Sequence, residues 1–165
     1  MSSDTDPVSA EGDDPKPNLA VDRFVFSQGL DLILNSSAQL ASVFGGDLVR
    51  ALVFFALVRA SVAHLNVRGA LSDQADNGLF PDDLRRPVSV LGVSQFLSIP
   101  YETTRRHVLR LVEDGLCRRL GSRQFIVETQ TLERPDIVEL ATYMSRQLQL
   151  MSRRVEAACR VDGQT

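Results

Sequence analysis

The chain has few of the residues that build metal sites, disulfides or covalent catalysis. Its 165 residues include two cysteines, Cys117 and Cys159, and two histidines, His64 and His107. The cysteines are far apart and lack C-x-x-C spacing, and neither histidine has a neighbour of metal-ligand type. We therefore expect no zinc site, no disulfide and no cofactor, and we interpret His107 as a half-buried packing residue.

Nucleotide-binding and catalytic motifs are also missing. The sequence has no G-x-x-x-x-G-K-S/T loop, no G-x-G-x-x-G loop after a strand, no G-x-S-x-G elbow and no H-E-x-x-H pair. It has no tryptophan and only two tyrosines, so few polar aromatic groups are present to orient a small ligand. The sequence predicts a protein that is not an enzyme.

Long hydrophobic runs are absent as well. The longest uninterrupted apolar run, residues 51–58, has eight residues, whereas about 20 are needed to span a bilayer. The first residues contain no basic segment followed by an apolar one, so secretion is not indicated and a cytoplasmic location is expected. We predict that residues 47–66 form a core helix capped by Asp47. Its expected packing residues are Leu48, Leu52, Phe55, Val62 and Leu65.

The charge is unevenly distributed. Of the formal net charge of −3, residues 1–20 contribute about −4, with five acidic residues and one lysine, so the remainder is slightly basic. Seventeen of the eighteen cationic residues are arginine, which favours bidentate contacts to phosphates and bases, although genome composition explains such a ratio equally well. Residues 1–20 have almost nothing to bury and are predicted to be a disordered acidic tail.

The rest of the chain is predicted to form three parts: an N-terminal helical segment (21–45), a central domain (46–132) and a C-terminal helix (133–160). The first segment is interpreted as one helix broken near residues 35–37, or as two short helices, ended by Gly45 and Gly46. Residues 66–87 are polar and turn-rich, and a short helix is predicted to start at residues 81–83. It would bring Arg85 and Arg86 close to a bound polyanion.

Residues 89–127 are the most informative part of the chain, because they predict helix, tight turn, helix and β-hairpin in succession. Ser89 can cap a helix that ends before Pro100, which disfavours helical backbone at Ile99. Residues 101–114 follow as a second helix stopped by Gly115, and the hairpin has its turn at residues 121–123. The apolar stripe of the second helix consists of Thr104, Val108, Leu111 and Val112.

This order resembles the bacterial winged helix-turn-helix transcription regulators, especially the GntR, MarR and Crp types. Their recognition helix commonly follows S-x-x-T-V-x-R-x-L-x-x-L-x-x-x-G-L-V. Residues 100–117 match at Thr103, Arg106, Val108, Leu111, Gly115 and Leu116 without a gap. Pro100 replaces the usual serine cap, Ser98 stands where glycine is frequent, Thr104 replaces valine, and His107 occupies a small position. The resemblance covers about forty residues, and it implies a mainly α fold with a small β-hairpin wing, flanked by N- and C-terminal helices.

The resemblance also implies which residues meet DNA. The helix 101–114 would enter the major groove, led by Tyr101, Glu102, Thr103 and Arg106, with Glu102 and Arg106 as candidates for base readout. Phosphate contacts would come from Arg105, Arg110, Arg118, Arg119 and Arg123, with Ser122 in the turn of the wing. Alternatively, these arginines only solvate a polar face. Between Arg85 and Arg134, however, nine arginines stand against five acidic residues, which favours nucleic acid.

The C-terminal helix carries a heptad seam. Its apolar residues recur at spacings of four and three, namely Ile137, Ala141, Met144, Leu148, Met151, Val155 and Ala158. We predict a homodimer through Ile137, Met144, Leu148, Met151 and Val155, which would present two recognition helices to a two-fold symmetric site. Alternatively, the seam packs on the amino-terminal helices of the same chain.

These patterns predict a homodimeric regulator that binds double-stranded DNA and alters transcription, most simply by occluding it. One alternative is an effector-responsive sensor, with a ligand pocket between the Phe-rich amino-terminal helices and the carboxyl-terminal helix. Another is an adaptor in which the winged helix contacts a second protein.

Overall fold

The computed structural model describes residues 18–65 and 78–162. The described chain is mainly helical with a small antiparallel sheet, as predicted. Its helices are α1 (Leu19–Val43), α2 (Leu48–Val62), α3 (Val90–Leu97), α4 (Tyr101–Glu113), α5 (Thr129–Leu132) and α6 (Pro135–Asp162), with a short 3-10 helix at Asp82–Leu84. The strands are β1 (Val88–Ser89), β2 (Arg118–Leu120) and β3 (Gln124–Ile126). The predictions for residues 1–17 and 66–77 lie outside the described residues. Residues 18–20, predicted to belong to the disordered tail, instead cap and begin α1.

Helix α1 runs unbroken for 25 residues, so the predicted break at residues 35–37 is wrong. Asn18 begins it by accepting a hydrogen bond on Oδ1 from the Ala20 amide, at 3.0 Å. Serine and asparagine disfavour a helix interior by only a few tenths of a kcal/mol, roughly, and packing against α2 and α6 outweighs this cost. Gly45 and Gly46, with φ of 68° and 89°, end the segment as predicted.

Helix α2 is the centre of the core. Asp47 caps it as predicted, because its Oδ1 accepts a hydrogen bond from the Arg50 amide at 2.9 Å. Phe54 is fully buried, with its ring centroid 5.2 Å from that of Phe44 and 5.0 Å from that of Phe55. Leu52 was expected to pack but is exposed. Helices α1, α3 and α4 cover the other sides of α2, which leaves Leu52 toward solvent.

Helices α3 and α4 meet across a tight turn. Ser89 caps α3, accepting on Oγ from the Gly92 amide at 3.1 Å, and Ser98 ends it in the left-handed region with φ of 54°. Thr104, Val108 and Leu111 of α4 are completely buried, which confirms the predicted stripe. Gly115 stops α4 with φ of 68°.

The predicted hairpin is present, but it belongs to a three-stranded sheet with the order β1-β3-β2. Arg119 of β2 and Val88 of β1 both pair with Phe125 of β3. Strand β1 is not predicted by the sequence, because two residues are too few for an alternating pattern.

Arg85 lies inside the structure and not at an exposed surface, so its predicted place beside a polyanion is wrong. Only 6% of the residue is exposed. Its Nε donates to the Phe80 carbonyl at 3.0 Å, and burial lowers the pKa of its guanidinium. The predicted short helix forms at Asp82–Leu84, and Asp82 Oδ1 accepts from the hydroxyl of Thr129 at 2.8 Å. Arg85 therefore holds the segment before β1 in place, whereas Arg86 is exposed.

Helix α6 begins at Pro135, as predicted, and packs antiparallel along α1. Arg154 near its end donates to the side chain of Gln28 at 3.2 Å, while Ile137 near its start joins the core. Most of the predicted seam is half-buried against α1, namely Met144, Met151, Val155 and Ala158. Within one chain, then, α1 occupies much of this seam. Leu148 remains 54% exposed.

No single helix in the described ranges is long and apolar enough to cross a membrane. Only helices α1 and α2 taken together are long and apolar enough for a membrane span, and the chain bends by 93° at the break between them.

Candidate functional site

The outer face of α4 is determined by its buried stripe. Because Thr104, Val108 and Leu111 face the core, the residues between them point away from it. Tyr101, Glu102, Arg105, Arg106 and Arg110 are exposed, and Thr103 is half-buried. This face borders a concavity with a volume of about 440 Å³, which is lined by Glu102, Thr103, Arg105, Arg106, Leu109, Arg110 and Glu113.

A groove of about 450 Å³ separates α4 from the β2–β3 hairpin. Helix α4 contributes Tyr101, Arg105 and Leu109 to it, and the hairpin contributes Arg119, Ser122, Arg123 and Phe125. The start of α3 completes the lining with Ser89, Val90 and Leu91. Because Arg105 and Leu109 line both concavities, the two form one continuous surface, which we call the arginine surface.

The structure brings nine of the ten predicted site residues onto the arginine surface. The exception is Arg118, which lines a neighbouring concavity of about 300 Å³ beside Gly115, Cys117 and Thr131, to which Arg119 also contributes. Successive side chains of a strand point to opposite faces, and of these two arginines only Arg119 also lines the groove beside α4. Arg118 Nε also forms an ion pair with Glu128 Oε1, at 2.7 Å.

The arginines of the surface differ in how they are held. Arg105 Nε lies 2.9 Å from Glu102 Oε2, and this hydrogen bond raises the pKa of Arg105. Arg119 donates to the backbone carbonyl of Ser122 at 2.6 Å. Among residues 18–65 and 78–162, Arg106, Arg110 and Arg123 form no ion pair. These three guanidinium groups are available to an anionic ligand without breaking an internal contact.

Sequence reasoning missed the apolar part of this surface. Leu91 of α3 is 53% exposed and lies beside Tyr101 in the groove, with Leu109 and Phe125 further along its lining. A signal was present, because the helical spacing of Val90, Val93 and Leu97 leaves Leu91 on the opposite side of α3.

Polar contacts behind α4 hold it against α2. Arg50 of α2 forms an ion pair with Asp114, which caps the end of α4. His107 points to the same side and is buried, not half-buried as predicted, and this burial lowers its pKa. His107 is therefore a neutral packing residue that positions the arginine surface without belonging to it.

Within the described ranges, neither the cavity between α1 and α6 nor any cluster of metal-binding side chains forms a second candidate site. The cavity between α1 and α6, where an effector would bind, is about 90 Å³, whereas ligand pockets are roughly 300–1,000 Å³. The part of the chain that the structure describes holds no group of three or more His, Cys, Asp or Glu residues able to bind a metal ion. Cys117 and Cys159 are free thiols, and burial raises the pKa of Cys117 to about 11.

Comparison with known proteins found no matching family model, no similar curated protein and no similar solved structure.

Proposed function

We propose that this protein is a winged helix-turn-helix regulator of transcription that binds double-stranded DNA. The observation that carries the proposal is the arginine surface, in which one face of α4 and the turn of the hairpin line a single concave region. The element order α2, β1, α3, α4, β2, β3 supports it, because this is the order of a winged helix. Such a regulator would act in the bacterial cytoplasm.

In the proposed complex α4 lies in the major groove and the hairpin contacts the DNA backbone beside it. The groove is about 12 Å wide, which admits an α-helix, and α4 is roughly 20 Å long at 1.5 Å per residue. Occupying a promoter in this way would repress transcription by occlusion, the simplest mechanism, which requires no catalytic chemistry.

The contacts of the described side chains suggest separate roles. Arg106 forms no ion pair with the described residues and lies near the leading end of α4, so it is the foremost candidate to read guanine. Arg105 contacts only one oxygen of Glu102, Oε2, so the other oxygen could accept a hydrogen bond from cytosine while the ion pair is kept. Arg105, Arg110, Arg119 and Arg123 would then hold phosphates.

Fluorescence anisotropy tests the proposal with a duplex from the region upstream of the protein's own gene and a shuffled duplex of equal length. We expect tighter binding to the native duplex, and Arg106→Ala should weaken it by about 1–3 kcal/mol while hardly changing binding to the shuffled duplex. Arg146→Ala, on the exposed side of α6, is the matched control and should leave both affinities unchanged. No binding to either duplex at low salt would contradict the proposal.

A second candidate function is a protein-interaction adaptor. One observation favours it: Leu91 and Phe96 on the short helix α3 are 53% and 71% exposed. Salt dependence distinguishes the candidates, since neutralising several phosphates makes DNA affinity fall steeply with salt, whereas an apolar protein contact changes little.

A further inference from the structure

Helix α1 carries a second heptad pattern on the face turned away from α6. Leu19, Phe26, Ile33 and Leu40 recur every seven residues, and Leu30 lies four residues after Phe26 and three before Ile33. This is the spacing of a coiled-coil seam, in which the positions equivalent to Leu30 one heptad before and after it hold Arg23 and Ser37. The opposite side of α1, where Gln28 and Leu32 lie, contacts α6.

Most of this face has no cover within the described chain. Leu19, Phe26, Leu30, Ile33 and Leu34, which we call the α1 stripe, are 59%, 68%, 41%, 61% and 65% exposed. At roughly 150–250 Å² for a large side chain, they expose about 500 Å² of apolar surface. That equals the largest patch of a typical monomer, about 300–600 Å², and such a patch is often functional.

We propose that the α1 stripe is a self-association surface, on which a second copy of this chain docks its own α1 stripe. A stable dimer interface buries about 800 Å² per partner, and homodimer interfaces are about 65% apolar, so about 500 Å² of apolar surface is required. The stripe supplies that amount. A two-fold axis through it would join two α1–α6 pairs into a four-helix bundle.

The residues beside the stripe favour a copy of the same helix. The flanking positions hold Ala20, Ser27, Gly29 and Ala41, which are small and uncharged, and Asp22 near the start of the helix. Two such helices can approach closely, and like charges do not face each other along most of the contact. The charged residues of α1 are Asp22, Arg23 and Asp31.

Other occupants fit the stripe less well. Residues 1–17 contain only Met1, Val8 and Ala10 as apolar residues outside proline and glycine, too few to cover it. A membrane surface attracts helices rich in lysine and arginine, and α1 has a single cationic residue, Arg23.

The inference replaces α6 with α1 as the main dimer contact, because most of the α6 seam packs on α1 within the chain. Dimerisation through α1 does not depend on DNA binding. The role that we assign to the dimer, which is to present two α4 helices to a two-fold symmetric DNA site, rests on the proposed function.

Sedimentation velocity of the full chain over a concentration series tests the inference. We expect a dimer, and we expect Phe26→Glu to raise its dissociation constant on the order of 100-fold, because each interface then buries two carboxylates without partners. Phe96→Glu is the matched control, since Phe96 is exposed to a similar degree but lies on α3. It should remain dimeric. Circular dichroism checks that both variants keep the wild-type helix content.

A monomeric wild type would overturn the inference, as would a Phe26→Glu variant that is folded and still dimeric. A loss of helix content on Phe26→Glu would also count against it, because an exposed side chain is not needed for the fold of one chain. DNA binding is measured separately. If the protein is a monomer that binds DNA, the inference about α1 fails and the proposed function is retained. If it is a dimer that depends on Phe26 but binds no DNA, the proposed function fails and the inference about α1 is retained.

Discussion

Asp47 and His107 connect the beginning of α2 to the middle of α4. Asp47 Oδ1 caps α2, while its other oxygen, Oδ2, lies 3.4 Å from Nδ1 of His107. Burial lowers the pKa of His107, Asp47 opposes this effect, and Arg106, Arg110 and Arg50 add to it. The folded protein thus holds a neutral imidazole next to a carboxylate, directly behind the arginine surface.

Stability should therefore fall in mildly acidic solution. As the pH drops below about 6.5, the unfolded chain protonates His107 whereas the folded chain does not, so its contribution is present above that pH and lost below it. Urea denaturation measures the free energy of unfolding of the wild type and of His107→Gln between about pH 8 and pH 5. The difference between the two proteins should become smaller as the pH is lowered. A constant difference for His107→Gln would refute this assignment.

Asp47 should contribute to the stability of the fold both as a helix cap and as a negative charge, and two substitutions separate these roles. Asp47→Ala removes the cap and should destabilise the fold by about 1–2 kcal/mol, whereas Asp47→Asn keeps a capping oxygen and should cost less. Asp31→Ala, at an exposed site inside α1, should change stability by no more than about 0.5 kcal/mol. Chemical denaturation at neutral pH measures all three. Equal losses for the Ala and Asn variants at Asp47 would assign its contribution to charge.

Ser98 occupies a backbone conformation that suits glycine, with φ of 54° and ψ of 35°. Left-handed backbone costs a residue with a side chain about 1–2 kcal/mol, and glycine loses about 0.5–1 kcal/mol in extra chain entropy on folding. Ser98→Gly should therefore stabilise the protein by about 0.5–1 kcal/mol. Gly115→Ala should destabilise it by a similar amount, because Gly115 has φ of 68° but open space around it. Thermal unfolding of both variants would reveal the opposite signs, and shifts of the same sign would contradict the argument.

The features that the sequence predicted correctly depend on local chemistry. Ser89, Asp47 and Gly115 cap or end helices through bonds to residues within a few positions, so their roles are visible in a short window. The buried stripe of α4 is likewise periodic within a single helix. Nine of the ten site residues lie together because that stripe and the hairpin turn together determine which side chains face outward.

The features that were missed depend on contacts between distant parts of the chain. Strand β1 exists because Val88 pairs with Phe125, and the segment that holds Arg85 is fixed by the hydrogen bond from the Thr129 hydroxyl to Asp82, 47 residues away. The continuity of α1 and the occupancy of the α6 seam come from the packing of two helices more than 100 residues apart. No window of the sequence contains both partners of such contacts.

Arg118 and Arg123 should differ in their effect on DNA binding although both lie in the hairpin segment. Each phosphate contact releases a counterion, so Arg123→Ala should weaken binding to all duplexes alike and reduce the salt slope by about 1. Arg118→Ala should change the slope less, because Arg118 does not line the groove beside α4 and is paired with Glu128. The measurement is anisotropy with a shuffled duplex at several salt concentrations. Equal salt slopes for both variants would contradict DNA binding through the arginine surface. The single substitution Glu128→Gln removes the carboxylate that pairs with Arg118, so it should strengthen binding by freeing Arg118 to contact a phosphate.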